Sequence, residues 1–210
     1  FCSEIVPLAR FSRFVYSNQD TARVPLEVMN ASAARLENAV LSYSVVSDDG
    51  DIVASGKFDM GEVPIGKNNK AGTVELPLSS FNKPMRLTLK ATLGNKAGNS
   101  WQFWVYPQEN AAEPDKDIYM TDSLDNKALQ VLQNGGKVLL AAAGKVTLGS
   151  DVVQHYLPVF WNTSWFKMRP PHTTGAYIET SHPLFAHGFP TDNWGNLNWW
   201  ELLNRAQVMN

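Results

Sequence analysis

The chain has 210 residues, of which 44% are hydrophobic and only 18% charged, enough apolar material for one large domain or two of ordinary size. Its formal net charge is −2 and its 18 basic residues are scattered, so the sequence offers no electrostatic footprint for nucleic acid or for an anionic membrane surface. A single cysteine, Cys2, excludes an intrachain disulfide, a zinc knuckle and cysteine-pair redox chemistry.

Twelve prolines and fourteen glycines spread along the chain predict many turns. No apolar run approaches the length of a membrane span, and the N-terminus lacks the basic-then-apolar pattern of a signal peptide. The start at Phe1, and a helical pattern over Trp199–Met209 with no terminator, predict a processed protein or an excised piece.

From Phe11 to Pro107 short alternating runs are separated by turn residues, which is how strands with one buried face read. Strands are predicted at Phe11–Tyr16, Arg23–Met29, Val40–Val46, Ile52–Met60, Thr73–Leu78, Met85–Leu93 and Trp101–Tyr106. Asp48-Asp49-Gly50 marks a tight hairpin, because Asp-Gly supplies the positive φ such a turn needs. Lys67–Gly72 is polar and reads as a solvated loop. Roughly seven short strands in about a hundred residues predict an immunoglobulin-like antiparallel β-sandwich over 1–107, although the Cys–Trp–Cys core of antibody domains is missing.

Residues 108–117 (QENAAEPDKD) are acidic, hold Pro114, lack aromatic and β-branched residues, and read as a linker. Beyond it the period changes. Ile118–Met120 is a short strand, Leu124–Leu132 places Leu124, Ala128, Leu129 and Leu132 on one helical face with Asp122 or Ser123 as its cap, and Asn134-Gly135-Gly136 ends the helix. Lys137–Ala143 is a continuous apolar run, the pattern of a strand buried on both sides. Strand, helix and strand make a βαβ unit, so 118–210 is expected to be an α/β domain, and an incomplete one, because at most two βα units fit before Asn210. Ser150–Leu157 reads as a short helix, Val159–Trp161 as a strand and His182–His187 as a helical turn.

The loops at the carboxyl ends of such strands are where chemistry belongs. The loop after Ala143 (Gly144 to Ser150) has neither a nucleophile between glycines nor the Gly-Lys-Ser/Thr of a phosphate loop; Ser150 stands where the lysine belongs. His182 and His187 lie five apart, about 140° around a helix, which does not suit a shared metal. No carboxylate among Asp151, Glu179, Asp192 and Glu201 stands out as one of an acid–base pair. No catalytic residue, metal or cofactor is expected.

The distinctive composition lies in two short segments, Pro158–Trp165 (PVFWNTSW) and Asn193–Trp200 (NWGNLNWW). Five of the seven tryptophans, Trp161, Trp165, Trp194, Trp199 and Trp200, fall there among asparagines. Such a cluster either pins irregular loops onto a domain or offers sugar rings a stacking face with hydrogen-bonding neighbours. Trp199 and Trp200 point about 100° apart on a helix, so at least one packs inward, and Trp161 follows Val159 and Phe160 in an apolar run. Trp165 and Trp194 remain as the expected exposed pair, with Asn162 and Asn193 as candidate hydrogen-bonding partners for a sugar.

Two stretches, EIVPLARFSRFVYSNQDTARVPLEVMN at Glu4–Asn30 and NSWQFWVYP at Asn99–Pro107, resemble the immunoglobulin-like domain that follows the catalytic barrel in large family 2 glycoside hydrolases, the β-galactosidase-like enzymes of Bacteroidetes type. The second half is similar to their C-terminal extension, a flavodoxin-like α/β domain resembling glutamine amidotransferases, in which PVFWNTSW and NWGNLNWW stretches recur. That class uses a cysteine nucleophile, which the loop after Ala143 lacks, and the barrel with its two glutamates lies outside this sequence. The resemblance therefore implies a non-catalytic C-terminal accessory region of a carbohydrate-degrading enzyme, with the parent's catalytic domain and carbohydrate as partners and a periplasmic or secreted location. An independent carbohydrate-binding module using the tryptophans as its platform is the alternative.

Overall fold

The computed structural model describes residues 3–108, 115–148, 155–156, 172–173, 175–186 and 188–203. Eight strands form its first half: β1 (Ile5–Ala9), β2 (Val15–Ser17), β3 (Thr21–Asn30), β4 (Leu36–Ser47), β5 (Ile52–Val63), β6 (Asn68–Pro77), β7 (Met85–Leu93) and β8 (Ala97–Tyr106). They pair as a three-stranded sheet, β1-β3-β6, and a five-stranded sheet, β2-β8-β7-β4-β5. All pairs are antiparallel except β2 with β8, so the opening segment supplies one edge to each sheet, an order found in immunoglobulin-type sandwiches.

The two sheets share one core, and strand periodicity decides who enters it. Val24, Leu26 and Val28 of β3 alternate inward against Leu87, Leu89 and Leu93 of β7, Leu41 and Val45 of β4, and Phe103 and Val105 of β8. Removing a large aliphatic or aromatic side chain from water in this way contributes about 1.5–3 kcal/mol each. Asn30 and Ser47 are the buried polar residues among the described ones. Asn30 is fully buried, donates through Nδ2 to the carbonyls of Ala34 and Val63 (both 3.0 Å), and accepts at Oδ1 from the backbone N–H and hydroxyl of Ser32.

Several expectations change here. The opening strand lies at Ile5–Ala9, not Phe11–Tyr16, of which only Val15 onward is strand. Pro7 breaks the local pattern, yet an edge strand tolerates a residue with no N–H. The expected loop Lys67–Gly72 is strand from Asn68 onward. Its backbone pairs with β3, while the Asn69 carboxamide donates to the carbonyls of Val28, Pro64 and Lys67. The Asp48–Gly50 turn forms as its residues predict, with Gly50 at φ +89° and its N–H on the Ser47 carbonyl.

A second unit contains β9 (Ile118–Thr121), α1 (Asn126–Gln133) and β10 (Lys137–Leu140), with β9 and β10 parallel: a βαβ unit. The helix cap is Asp125, not Asp122 or Ser123, because only Asp125 places its Oδ1 on a first-turn donor, Ala128 N–H, at 2.7 Å. Gly135, at φ +74°, ends the helix. The strand expected over Lys137–Ala143 stops at Leu140, and Leu139 and Leu140 are exposed instead of buried on both sides; among the described residues β10 pairs with β9 alone. The same unit holds a parallel bridge of β11 (His155–Tyr156) with β12 (His172–Thr173).

The chain divides into 1–108 with 175–201, and 109–174 with 202–210. By its contacts the run containing β13 (Ala176–Tyr177) and β14 (Trp194–Gly195), which lies within the expected second domain of 118–210, groups with the sandwich. Aromatic and ionic contacts, described next, are the reason.

Candidate functional site

β13 and β14 form a short antiparallel ribbon in which Ala176 faces Gly195 and Tyr177 faces Trp194. Because opposite residues of an antiparallel pair point to the same side, the ribbon has two unlike faces. Trp199 packs against Gly195 on one of them; a Cβ at Gly195 would stand 2.5 Å from Trp199 Cδ1 and 3.1 Å from Ile178 Cγ1. Trp199 also donates from Nε1 to Thr191 Oγ1 (3.1 Å) and meets Phe189 (ring centroids 5.5 Å) and Phe185 (6.3 Å). Phe189 in turn stacks on Tyr106, 5.4 Å away at 29°, at the end of β8.

An ion pair adds to this seam. Arg86 of β7 donates from Nε to Asp48 Oδ1 (2.8 Å) and from Nη1 to Asp192 Oδ2 (2.7 Å), and these bonds hold its guanidinium more firmly protonated than usual. The aromatic seam sets the fit between ribbon and sandwich, and one methyl group is enough to spoil it. Gly195→Ala is expected to displace Trp199 and cost about 1–3 kcal/mol, the usual penalty of overpacking; a lowered Tm with loss of near-UV circular dichroism checks it.

Burial pushes the Tyr106 hydroxyl up to about 12, and that oxygen has no hydrogen-bond partner. A folded pKa above the unfolded one means that this contribution is intact below pH 10 and declines as pH rises from 10 towards 12. Tyr106→Phe is expected to leave stability at pH 7 unchanged or raised and to lessen the alkaline fall, as thermal melts between pH 9 and pH 12 would show.

The other ribbon face is open. Trp194 lies across Gly175, where a side chain would collide with the indole at Cζ2, and remains 55% exposed; Tyr177 beside it is 72% exposed. Asn193 Nδ2 donates to the Ile178 carbonyl and Thr180 Oγ1, both at 3.1 Å, so its carboxamide holds the ribbon together. Glu179 accepts from the backbone N–H and hydroxyl of Ser181, which hold its carboxyl below the usual range. The other residues expected at a sugar site, Trp165 and Asn162, lie outside the described residues, as does Trp161. Tyr177 had no sequence signal of its own; only the register with Trp194 brings it to the site.

Elsewhere the loops that follow β9 and β10 meet through Lys145 and Asp122, whose Nζ and Oδ2 lie 2.5 Å apart. Both are exposed, and the ammonium group lowers the Asp122 carboxyl. His182 caps the 3-10 turn Pro183–Phe185 by accepting from Leu184 N–H at Nδ1. Among the described residues no cluster of His, Cys, Asp and Glu is placed to hold a metal ion, and no helix is long and apolar enough to cross a membrane.

Two family models match, each described as a domain of unknown function: DUF8488 over residues 20–107 and DUF8487 over 119–210. No curated protein matches the sequence. Among solved structures, the chain is similar to a cycloisomaltooligosaccharide glucanotransferase of Paenibacillus sp., at 8% identity and TM-score 0.39 over 61% of this chain and 18% of that one. A β-glucuronidase of Bifidobacterium dentium complexed with coumarin-3-O-glucuronide is similar at 11% and 0.32, over 49% of this chain and 18% of the enzyme. The CARDB domain of a Pyrococcus furiosus protein in complex with di-metal ions is similar at 11% and 0.34, over 50% of this chain and 92% of that domain. The chain thus spans less than a fifth of each of the two enzymes.

Proposed function

We propose that this chain is a non-catalytic accessory region of a carbohydrate-degrading glycoside hydrolase, family 2-like, that works by contacting sugar. The observation that carries this reading is the open ribbon face, where Trp194 and Tyr177 stand side by side with their rings exposed. Gly175 lets the indole lie down on the backbone, which fixes its orientation before any ligand arrives. A flat aromatic held this way suits the C–H face of a pyranose. In this reading the parent's catalytic domain is the protein partner, the βαβ unit at Ile118–Leu140 begins a flavodoxin-like or amidotransferase-like domain, and the enzyme works in the periplasm or outside the cell. An independent carbohydrate-binding module is the second reading, and the same face supports it.

Calorimetric titration of the chain with a panel of oligosaccharides tests both. Trp194→Ala is expected to leave stability within about 0.5 kcal/mol, as exposed positions do, while abolishing binding. A wild-type chain that binds no saccharide overturns the sugar-contact reading. Binding that enhances the hydrolysis performed by a co-expressed parent barrel favours the accessory role over the independent module.

A further inference from the structure

Where Asn196 and Leu197 pass over the outer face of the five-stranded sheet, they wall one side of a groove of about 420 Å³, within the size range of small-ligand sites. Its floor is built by strand alternation. Thr88 of β7 and Gln102 of β8 are cross-strand partners, and Ser100 and Trp104 flank Gln102 on the same side of β8. Phe14 and Leu197 complete the apolar part.

Three properties narrow the ligand. None of the side chains lining the groove is ionisable; on the same face Arg86, opposite Trp104, is held by Asp48 and Asp192, and Lys90, opposite Ser100, stands beside the groove and not in its lining. Among the described residues the hydroxyls of Thr88 and Ser100 and the carboxamide of Gln102 make no hydrogen bond, and each can both donate and accept. The groove lies over the β7–β8 ladder, whose facing backbone groups are paired from Met85 with Val105 to Leu93 with Ala97, so a ligand on this face meets side chains rather than those main-chain groups; among the described residues β2 covers the other side of β8 at Trp104–Tyr106. What remains is a compact, uncharged molecule rich in groups that donate and accept at once and bearing one apolar face.

We propose that this groove holds one sugar unit of a neutral oligosaccharide, its hydroxyls on Thr88, Ser100 and Gln102 and its C–H face toward Leu197 and Phe14. The proposal rests on the sugar-contact reading above but uses different residues, so the two can fail separately. The full chain is titrated with neutral cello-, xylo-, manno- and galacto-oligosaccharides and with oligogalacturonate, followed by calorimetry and by the side-chain amide resonances of Gln102.

A neutral oligosaccharide is expected to shift the Gln102 resonances, and Gln102→Leu and Thr88→Val are each expected to weaken its binding about tenfold with Tm unchanged. Should either variant melt early, Ser100→Ala, at an exposed position, carries the same expectation. Binding that is lost in Trp194→Ala but unaltered in the groove variants overturns the groove while leaving the sugar reading intact. Tighter binding of oligogalacturonate than of every neutral chain also overturns it, and a wild-type chain that binds none of them overturns both.

Discussion

Phe103→Ala is expected to remove about 3–5 kcal/mol of stability, which would leave a domain of ordinary stability largely unfolded at 37 °C. Phe103 is 2% exposed at the centre of β8, where its ring meets Phe11 at 5.6 Å and Tyr16 edge-on at 5.9 Å. Truncation leaves a void bounded by two sheets that cannot close on it without shifting strands, so little of the loss is recovered by relaxation. Urea unfolding followed by circular dichroism measures the change. A loss under about 1 kcal/mol would mean that the core around β8 is much looser than its burial indicates.

Asn30→Asp is expected to have an effect of similar size by a different route. The carboxamide donates two hydrogen bonds to main-chain carbonyls, and its oxygen accepts two more. A neutral carboxyl retains one donor and so loses one of the two bonds to main-chain carbonyls, at a cost of about 1–3 kcal/mol when the buried Val63 carbonyl is the one left; a charged carboxylate faces both carbonyls and costs more. The folded pKa of the introduced group is therefore raised. Its destabilisation is smallest in acid and grows as pH rises above the unfolded value of about 4. Comparing the variant with wild type at pH 4 and pH 7 checks this, and equal losses at the two pH values would show that the introduced group is reached by water.

The same residues show what the sequence does and does not disclose. β3 and β7 are legible because every second residue is aliphatic and the faces of the sheet are that unlike. β1 is not, since Pro7 interrupts the run and the pairing that makes it a strand comes from Val28, far along the chain. Residues 68–72 read as loop because their strand character resides in backbone bonds to β3 and in the Asn69 carboxamide, neither of which has a hydrophobic signature. At the candidate site Trp194 can be read as exposed from its polar neighbours, whereas Tyr177 gains meaning only from cross-strand register. Thr88, Ser100 and Gln102 look like an ordinary wet sheet face until Leu197 passes over them. Trp165 and Asn162 lie outside the described residues.

β5 is twelve residues long and closes one side of its sheet, with no described residue hydrogen-bonded beyond it as a further strand. A free border of that length is a template on which a second chain can grow, and proteins that keep such borders must discourage the addition. Here Lys57 and Asp59 project from the outward side, while Gly56 lies under the ring of Tyr43 and Phe58 stacks on that ring at 5.3 Å. A strand arriving in register would meet alternating charges outside and find the aromatic surface inside already occupied. The first two positions are less defended, with Ile52 67% exposed and Val53 36%. A strand added to this border would enter most readily at the hairpin end of β5, and Ile52→Lys is the change that would close it.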